Sequence, residues 1–139
     1  MKAAGYSGTP LERKLGIKHG FKIKTVHQPD YYFDLFTELP LDILRIDDNN
    51  SKKDFIHYFT KSSEQLSRDI VQLGQEIEEN GMIWISWPKK ASKIETDLNG
   101  NMVREIGLKN GLVDIKVCAV DEIWSGLKFV IPLKLRNNG

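Results

Sequence analysis

The feature that most constrains the fold is a nearly continuous apolar run, MIWISW, at residues 82–87. The turn signal Asn80-Gly81 precedes it and Pro88 follows it. A short, uniformly apolar segment is typical of a central strand in a parallel sheet, because such a strand is covered on both faces. Parallel neighbours require long crossover connections, which are usually helices. The run therefore predicts an α/β fold.

A helix is predicted directly before this strand. Ser62 and Gln65 have the spacing of a capping box, and apolar residues then repeat at helical intervals. The repeating residues are Leu66, Ile70, Leu73 and Ile77. Because Asn80-Gly81 is a turn signal, the helix is expected to end there.

Turn signals divide the rest of the chain into alternating helices and strands. One helix is expected over residues 11–16, with Thr9 as its cap and Pro10 at the first helical position. Another is expected over 31–39, and a third contains Met102 and ends at Asn110. The remaining strands are expected at residues 21–26, 43–46, 55–59, 113–120 and 127–133.

The connection between the last two strands, at residues 124–126, is too short for a crossover, so the last strand should run antiparallel to its neighbour. A mostly parallel sheet with helices on both faces and an antiparallel C-terminal strand resembles the methyltransferase-like variant of the Rossmann fold. The length of 139 residues suits a single domain of this type over residues 1–139.

Two motifs carry a further resemblance, WPKKAS at residues 87–92 and VDIKVCAVDEIWSGLK at 113–128. They are similar to those of an uncharacterised bacterial family, a domain of unknown function. The resemblance implies a bacterial origin and the methyltransferase-like fold, and it implies no activity.

The charge and the cysteine count bear on partners and location. The formal net charge of +1 argues against a nucleic acid partner, since proteins that bind duplex DNA usually carry a strong basic excess. Cys118 is the only cysteine, so no internal disulfide is possible, and no apolar run is long enough for a membrane span. We therefore expect a cytoplasmic protein that does not bind membranes.

The turn after the first strand tests the cofactor that a methyltransferase-like fold implies. S-adenosylmethionine is held there by a glycine-rich loop, in which the backbone approaches the ligand closely. This turn reads HQPDY at residues 27–31, with no glycine and with a proline that lacks an N–H. Asp47 or Asp48 could hold a ribose, although both also suit an ordinary turn. The sequence predicts that no cofactor binds.

A candidate ligand site follows from the topology. Ligands of open α/β sheets bind at the carboxyl ends of the strands, near the switch in strand order. Residues from three strand ends are expected at that rim, namely His27, Trp87, Lys89, Lys90, Asp121, Glu122, Trp124 and Ser125. The segments 87–90 and 121–125 should lie within about 8 Å of each other. The lysines suit an anion, and the indoles could stack a ring.

Two functions remain open. The first is a non-catalytic binding or regulatory domain that contacts a protein partner or a small anion through the rim. The second is a small enzyme in which Lys89 or Lys90 binds an anionic substrate while Asp121 or Glu122 acts as acid or base. A metal site is not predicted, because His19, His27 and His57 lack metal-ligand spacing.

Overall fold

The computed structural model describes residues 8–136 and contains one six-stranded sheet. The strands lie in the order β2-β1-β3-β4-β6-β5. Their bounds are β1 Lys22–Val26, β2 Leu44–Arg45, β3 Lys53–Phe59, β4 Ile77–Pro88, β5 Val113–Ala119 and β6 Trp124–Val130. β1 to β4 pair in parallel, whereas β6 runs antiparallel to both β4 and β5. The predicted α/β class and antiparallel last strand are confirmed.

The connection before the last strand differs from the prediction. It comprises residues 120–123, and the residues predicted to form the turn, 124–126, are the first three of β6. Asp121 explains the shift, because its carboxylate accepts hydrogen bonds from the backbone N–H groups of Ile123 at 2.8 Å and Trp124 at 2.7 Å. The carboxylate thus closes the turn three residues earlier than the Ser-Gly pair suggested.

β4 begins five residues earlier than the predicted strand, and the preceding helix, α2 (Ser63–Gln75), ends before the predicted stop at Asn80-Gly81. In the ladder between β3 and β4, Lys53 pairs with Ile77 and Phe55 pairs with Met82. β4 therefore has extra residues between these two pairs, and they form a bulge. A Cβ on Gly81 would lie 3.0 Å from the carbonyl oxygen of Lys53. Gly81 is therefore required for close backbone contact inside a bulge and does not end a helix.

Two helices, α2 and α3 (Gly100–Lys109), cover one face of the sheet. Ser62 caps α2 by accepting a hydrogen bond from the N–H of Gln65 at 3.1 Å, and Asn99 caps α3 in the same way. The predicted capping box is half formed, because the Gln65 side chain accepts from Thr60 rather than bonding Ser62. We call this side of the sheet the α2/α3 face.

The opposite face is covered by α1 (Leu11–Leu15) and by a 3₁₀ turn, Tyr32–Leu35; we call it the α1 face. The helix predicted over residues 31–39 is wrong. The ring of Tyr32 packs edge-on against the stacked rings of His57 and Phe59 of β3, and the backbone is already extended at Phe36. Packing of these aromatic rings on the sheet replaces a helix. The N-cap of α1 is Pro10 and its first helical residue is Leu11, so the prediction of Thr9 as the cap and Pro10 as the first helical residue is wrong by one position.

No helix in residues 8–136 is long and apolar enough to cross a membrane.

Candidate functional site

The switch in strand order lies between β1 and β3. From β1 the chain continues to β2 on one side of it, and β3 then lies on the other side. The carboxyl ends of these two strands are Val26 and Phe59. In doubly wound sheets the crevice outside such a pair of strand ends is where ligands bind.

A pocket of about 420 Å³ opens at this position, a volume within the usual range for small-molecule sites. Its lining comes from the segments after β1 and β3, from the first turns of α2 and from the start of β6. The lining residues are His27, Pro29, Phe59, Thr60, Lys61, Ser62, Gln65, Arg68 and Trp124. We call it the switch-point pocket.

His27 is the first residue after β1 and has a left-handed backbone, with φ of 57°. Such a conformation is uncommon for a residue with a side chain and is tolerated most easily by glycine. The Nδ1 atom of His27 lies 3.2 Å from the carbonyl oxygen of Phe59. Because a carbonyl oxygen only accepts, Nδ1 carries a proton in this contact.

The charge of the switch-point pocket is positive. Lys61 and Arg68 are exposed at its rim, and none of its lining residues is a carboxylate. Arg68 also pairs with Glu64 at 3.4 Å, although both side chains are largely exposed and the pair is weak. The N-terminus of α2 is already occupied, since the Asp97 carboxylate accepts from the backbone and side chain of Ser63. The positive character therefore comes from side chains.

The segment after β1 crosses the carboxyl edge towards the β5–β6 turn. Pro29 contributes no N–H to the pocket, and Tyr31 donates a 2.6 Å hydrogen bond to Asp121. Burial raises the pKa of Tyr31 above its usual value, and the hydrogen bond to Asp121 and the charge of that carboxylate raise it further. Tyr31 therefore stays neutral and anchors the segment.

The two sequence motifs meet at one rim, as predicted. The backbone N–H of Lys89 donates to the carbonyl oxygen of Ile123 at 2.7 Å. In the same ladder Trp87 pairs with Ser125 and Pro88 with Trp124. Segments 87–90 and 121–125 are therefore in direct contact.

The side chains of these motifs, however, do not converge on one site. Trp87 packs on the α2/α3 face and Trp124 on the α1 face. Trp87 and Lys90 line a second pocket of about 580 Å³, whose other lining residues come from segment 88–99. His27 and Trp124 line the switch-point pocket. The predicted shared rim is thus two separate pockets.

The remaining predicted site residues have simpler surroundings. Asp121 is fully buried, and Tyr31 and two backbone N–H groups bind both its oxygens. No ion pair joins it, or Glu122, to Lys90 within the described chain. Glu122 is exposed, whereas Lys89 and Ser125 are half-buried and line neither pocket. Asp121 is therefore a structural group.

The sequence-based prediction missed Lys61 and Arg68. A signal for Lys61 was present, because it follows the predicted end of the third strand at residue 59 by two residues, as Lys89 follows the predicted end of the fourth at residue 87. Arg68 lies in the second turn of α2 and reaches the pocket because α2 starts just after the carboxyl end of β3. Its position depends on the packing of the helix, which the sequence pattern does not give.

A buried polar chain lies beneath the pocket. His57 contacts the Tyr32 hydroxyl through Nδ1 at 2.9 Å and the Ser86 hydroxyl through Nε2 at 2.8 Å. Burial lowers the pKa of His57 to about 3, so the ring is neutral. Its ring also stacks on Phe59 at 4.3 Å. All of these side chains are buried, so their hydrogen bonds hold β3 and β4 together, and none of them is an accessible nucleophile.

Within residues 8–136, no three His, Cys, Asp or Glu side chains are grouped so that they could hold a metal ion. The turn at Asp47 and Asp48 is an ordinary Asx turn, in which Asp48 accepts from the backbone of Asn50 and Ser51. This arrangement accounts for Asp48 without a ribose.

The comparisons with solved structures identify the fold. Magnesium protoporphyrin IX methyltransferase from Synechocystis PCC 6803, with bound SAM, superimposes with a TM-score of 0.53 at 10% identity over 88% of this chain and 74% of its own. A TehB-like SAM-dependent methyltransferase from Corynebacterium glutamicum gives 0.55 at 12% identity, over 88% and 85%. A SAM-dependent methyltransferase from Aquifex aeolicus gives 0.54 at 14%, over 86% and 87%. The fold is methyltransferase-like.

No family model and no curated protein matches the chain. The resemblance of residues 87–92 and 113–128 to an uncharacterised bacterial family therefore stays a prediction. The identities of the structural neighbours are low, so the likeness extends to the fold alone.

Proposed function

We propose that this chain is a non-catalytic domain that binds a small anion in the switch-point pocket. The observation that carries the proposal is the charge of that pocket, where Lys61 and Arg68 face an opening whose lining contains no carboxylate. Positive side chains that converge at the ligand position of an α/β fold favour a phosphate or carboxylate group.

The shape of the pocket supports a ligand with an apolar part. Phe59, Pro29 and Trp124 contribute apolar surface to the lining, and the side chain of Trp124 is almost fully buried. A ring or short hydrocarbon chain can lie against these residues while its charged group reaches Lys61 and Arg68.

S-adenosylmethionine is a poor fit to the segment that follows β1. A side chain stands at His27, where the family of folds favours glycine, and Pro29 removes a backbone donor. The bond from Tyr31 to Asp121 also holds the segment across the carboxyl edge. These features support a ligand other than the cofactor that the structural neighbour from Synechocystis contains.

Two measurements test the proposal. Native mass spectrometry of the freshly purified chain detects a bound small molecule directly. Isothermal titration with inorganic phosphate, pyrophosphate, AMP and citrate then tests anion binding, and titration with S-adenosylmethionine tests the cofactor. We expect at least one anion to bind and S-adenosylmethionine not to bind with a dissociation constant at or below about 100 μM.

The double variant Lys61→Gln with Arg68→Gln should weaken binding of that anion, with a dissociation constant at least about tenfold higher. The matched control is Lys109→Gln with Lys134→Gln, which removes the same charge from exposed positions outside the pocket. Binding of S-adenosylmethionine alone, or equal anion affinity in the two double variants, would contradict the proposal.

A second candidate is a small enzyme that acts on the same anion. The imidazole of His27, which lines the pocket, favours it, because imidazole is a common general base. Asp121 is excluded from the acid or base role, since it is buried and all its contacts are structural. If the enzyme candidate holds, mass spectrometry will find the incubated ligand chemically changed, and His27→Gln will abolish the change without abolishing binding.

A further inference from the structure

The outer edge of β5 has free main-chain groups. β5 is the last strand of the sheet and pairs only with β6 in the described chain. The N–H of Val120 bonds the carbonyl oxygen of Trp124, so this is a hydrogen-bonded pair. Along an antiparallel ladder, hydrogen-bonded pairs alternate with pairs that are not hydrogen-bonded. Cys118 and Lys116 therefore bond towards β6, whereas Val117 directs its N–H and C=O outwards.

Four lysines lie on the α1 face beside this edge, and we call them the lysine cluster. They are Lys14 of α1, Lys18 just after α1, Lys116 of β5 and Lys128 of β6, and the ammonium group of Lys128 lies 3.9 Å from the position of a Cβ on Gly16 at the end of α1. Lys116 and Lys128 are cross-strand partners. Burial lowers the pKa of Lys128, and the neighbouring charges of Lys116 and Lys18 lower it further. Burial raises the pKa of the Cys118 thiol, and the charges of Lys14, Lys116 and Lys89 partly offset that effect.

No carboxylate of the described residues pairs with any member of the lysine cluster. Like charges placed directly opposite each other destabilise a sheet. A lysine on an edge strand can serve to prevent aggregation, which would account for Lys116. It does not account for Lys128, because β6 is an inner strand. The cluster therefore calls for an external negative partner.

The two faces of β5 differ in character. Lys116 and Lys128 lie on the α1 face, on the same side as Trp84, which pairs with Lys128. Val117 pairs with Leu127 and lies on the α2/α3 face, where it is 67% exposed. Side chains alternate between faces along a strand. A strand added to this edge would meet lysines on one side and an apolar residue on the other.

We propose that the outer edge of β5 binds an extended segment of another protein in which acidic residues alternate with apolar ones. The main-chain groups of Val117 pair with the segment, its acidic side chains face the lysine cluster, and its apolar side chains pack on Val117. This is strand addition, in which the backbone gives affinity and alternate side chains give specificity. The bulge between Asp114 and Lys116 confines the pairing to the regular stretch that begins at Lys116.

The first test uses a fluorescent peptide of about ten residues, the length of a long strand, in which Glu and Val alternate. Its binding to the full chain is followed by fluorescence anisotropy. The matched control is a peptide of the same composition with Glu and Val in two blocks, which presents no single acidic face when extended. We expect the alternating peptide to bind at least about tenfold more tightly.

Two variants test the two parts of the surface. The double variant Lys116→Glu with Lys128→Glu should weaken binding of the alternating peptide at least about tenfold. The control double variant, Lys109→Glu with Lys134→Glu, should leave the affinity unchanged. Val117→Pro should also abolish binding, because it removes the outward N–H and leaves the bonds between β5 and β6 in place. Thermal unfolding of each variant establishes that the fold is retained.

Hydrogen exchange supplies a readout that needs no variant. The amide of Val117 should exchange more slowly when the peptide is bound, whereas the amide of Cys118, already bonded to β6, should not change. Equal affinity for the two peptides, an unchanged Val117 amide, or tighter binding of single-stranded RNA or of phosphatidylserine vesicles would overturn the proposal.

Discussion

Gly107 of α3 lies against the ring of Phe129 of β6 so closely that a Cβ on Gly107 would stand 2.1 Å from the Cε1 atom of the ring. Both residues are buried. Glycine inside a helix costs about 1 kcal/mol relative to alanine. Here the absence of a side chain at Gly107 lets α3 lie close to the sheet, and this contact sets the distance between α3 and β6.

Gly107→Ala should therefore destabilise the chain by about 1–3 kcal/mol, because the added methyl group forces the ring or the helix to move. Urea unfolding at neutral pH measures the change. Gly74→Ala is the matched control, since Gly74 lies in α2 and a Cβ there would meet nothing within 4 Å. That variant should gain up to about 1 kcal/mol. If the two variants change stability in the same direction, the close contact between α3 and β6 is wrong.

Asp121→Ala should lower the free energy of unfolding by about 2–4 kcal/mol, because the buried N–H groups of Ile123 and Trp124 lose their acceptor. Tyr31→Phe removes one of the three bonds and should cost about 1–2 kcal/mol. Glu122, the exposed neighbour of Asp121, provides the control. The free energy of unfolding of Glu122→Ala should stay within about 0.5 kcal/mol of that of the parent chain. A loss at Asp121 no larger than at Glu122 would show that the carboxylate does not hold this turn.

The sequence was sufficient for those features that depend on local periodicity. The apolar run at 82–87, the helical spacing of Leu66, Ile70 and Leu73 and the short final connection together determine a mostly parallel sheet with an antiparallel end. The contact between the two motifs follows from that topology alone, because parallel strands place their carboxyl ends at one edge.

Features that depend on register could not be predicted. The turn between β5 and β6 lies at 120–123 and not at 124–126. Because side chains alternate along a strand, the register decides which face each residue occupies. Trp87 and Trp124 consequently lie on opposite faces, although the sequence places both at one rim. The contribution of Arg68 to the pocket depends in the same way on how α2 packs.

Ile85→Ala tests the position of β4 in the middle of the sheet. Ile85 is fully buried among the residues of α2, α3 and the inner strands. The truncation should cost about 2–5 kcal/mol in urea unfolding, since a close-packed core does not collapse around the cavity. Ile85→Val removes a single methyl group and should cost only about 0.5–1.5 kcal/mol. A loss below about 1 kcal/mol for the alanine variant would place β4 at the edge of the core.

A buried ionic cluster joins β1, β3 and the end of α2. The Glu76 oxygen Oε1 accepts from the ammonium groups of Lys24 and Lys53, each at 2.8 Å, and Oε2 accepts from Gln72 at 3.0 Å. Lys53 is completely buried. Burial alone would raise the pKa of Glu76, but the bonds from Lys24, Lys53 and Gln72 outweigh it, so the pKa lies below its ordinary value.

Glu76→Gln should cost about 3–5 kcal/mol at neutral pH, because it leaves the buried ammonium group of Lys24 without its counter-ion and that of Lys53 with only Asp48, at 3.5 Å. The difference from the parent chain should also depend on pH. Since the pKa of Glu76 is lower in the folded state, the stabilisation is complete above the ordinary carboxyl value of 4.5. It is lost as the pH falls through the folded value, because the unfolded chain takes up the proton first.

Urea unfolding of both chains between about pH 7 and about pH 3 measures this difference. The difference in the free energy of unfolding between the two chains, which we call the gap, should be widest at neutral pH. It should narrow at acid pH, because Glu76 of the parent chain then becomes protonated and loses its charge. Glu105→Gln removes an exposed carboxylate from α3 and should leave the gap near zero throughout. A gap for Glu76→Gln that stays constant with pH would mean that the amide costs stability through packing, and that the charge of Glu76 is not what holds Lys24 and Lys53 inside the fold.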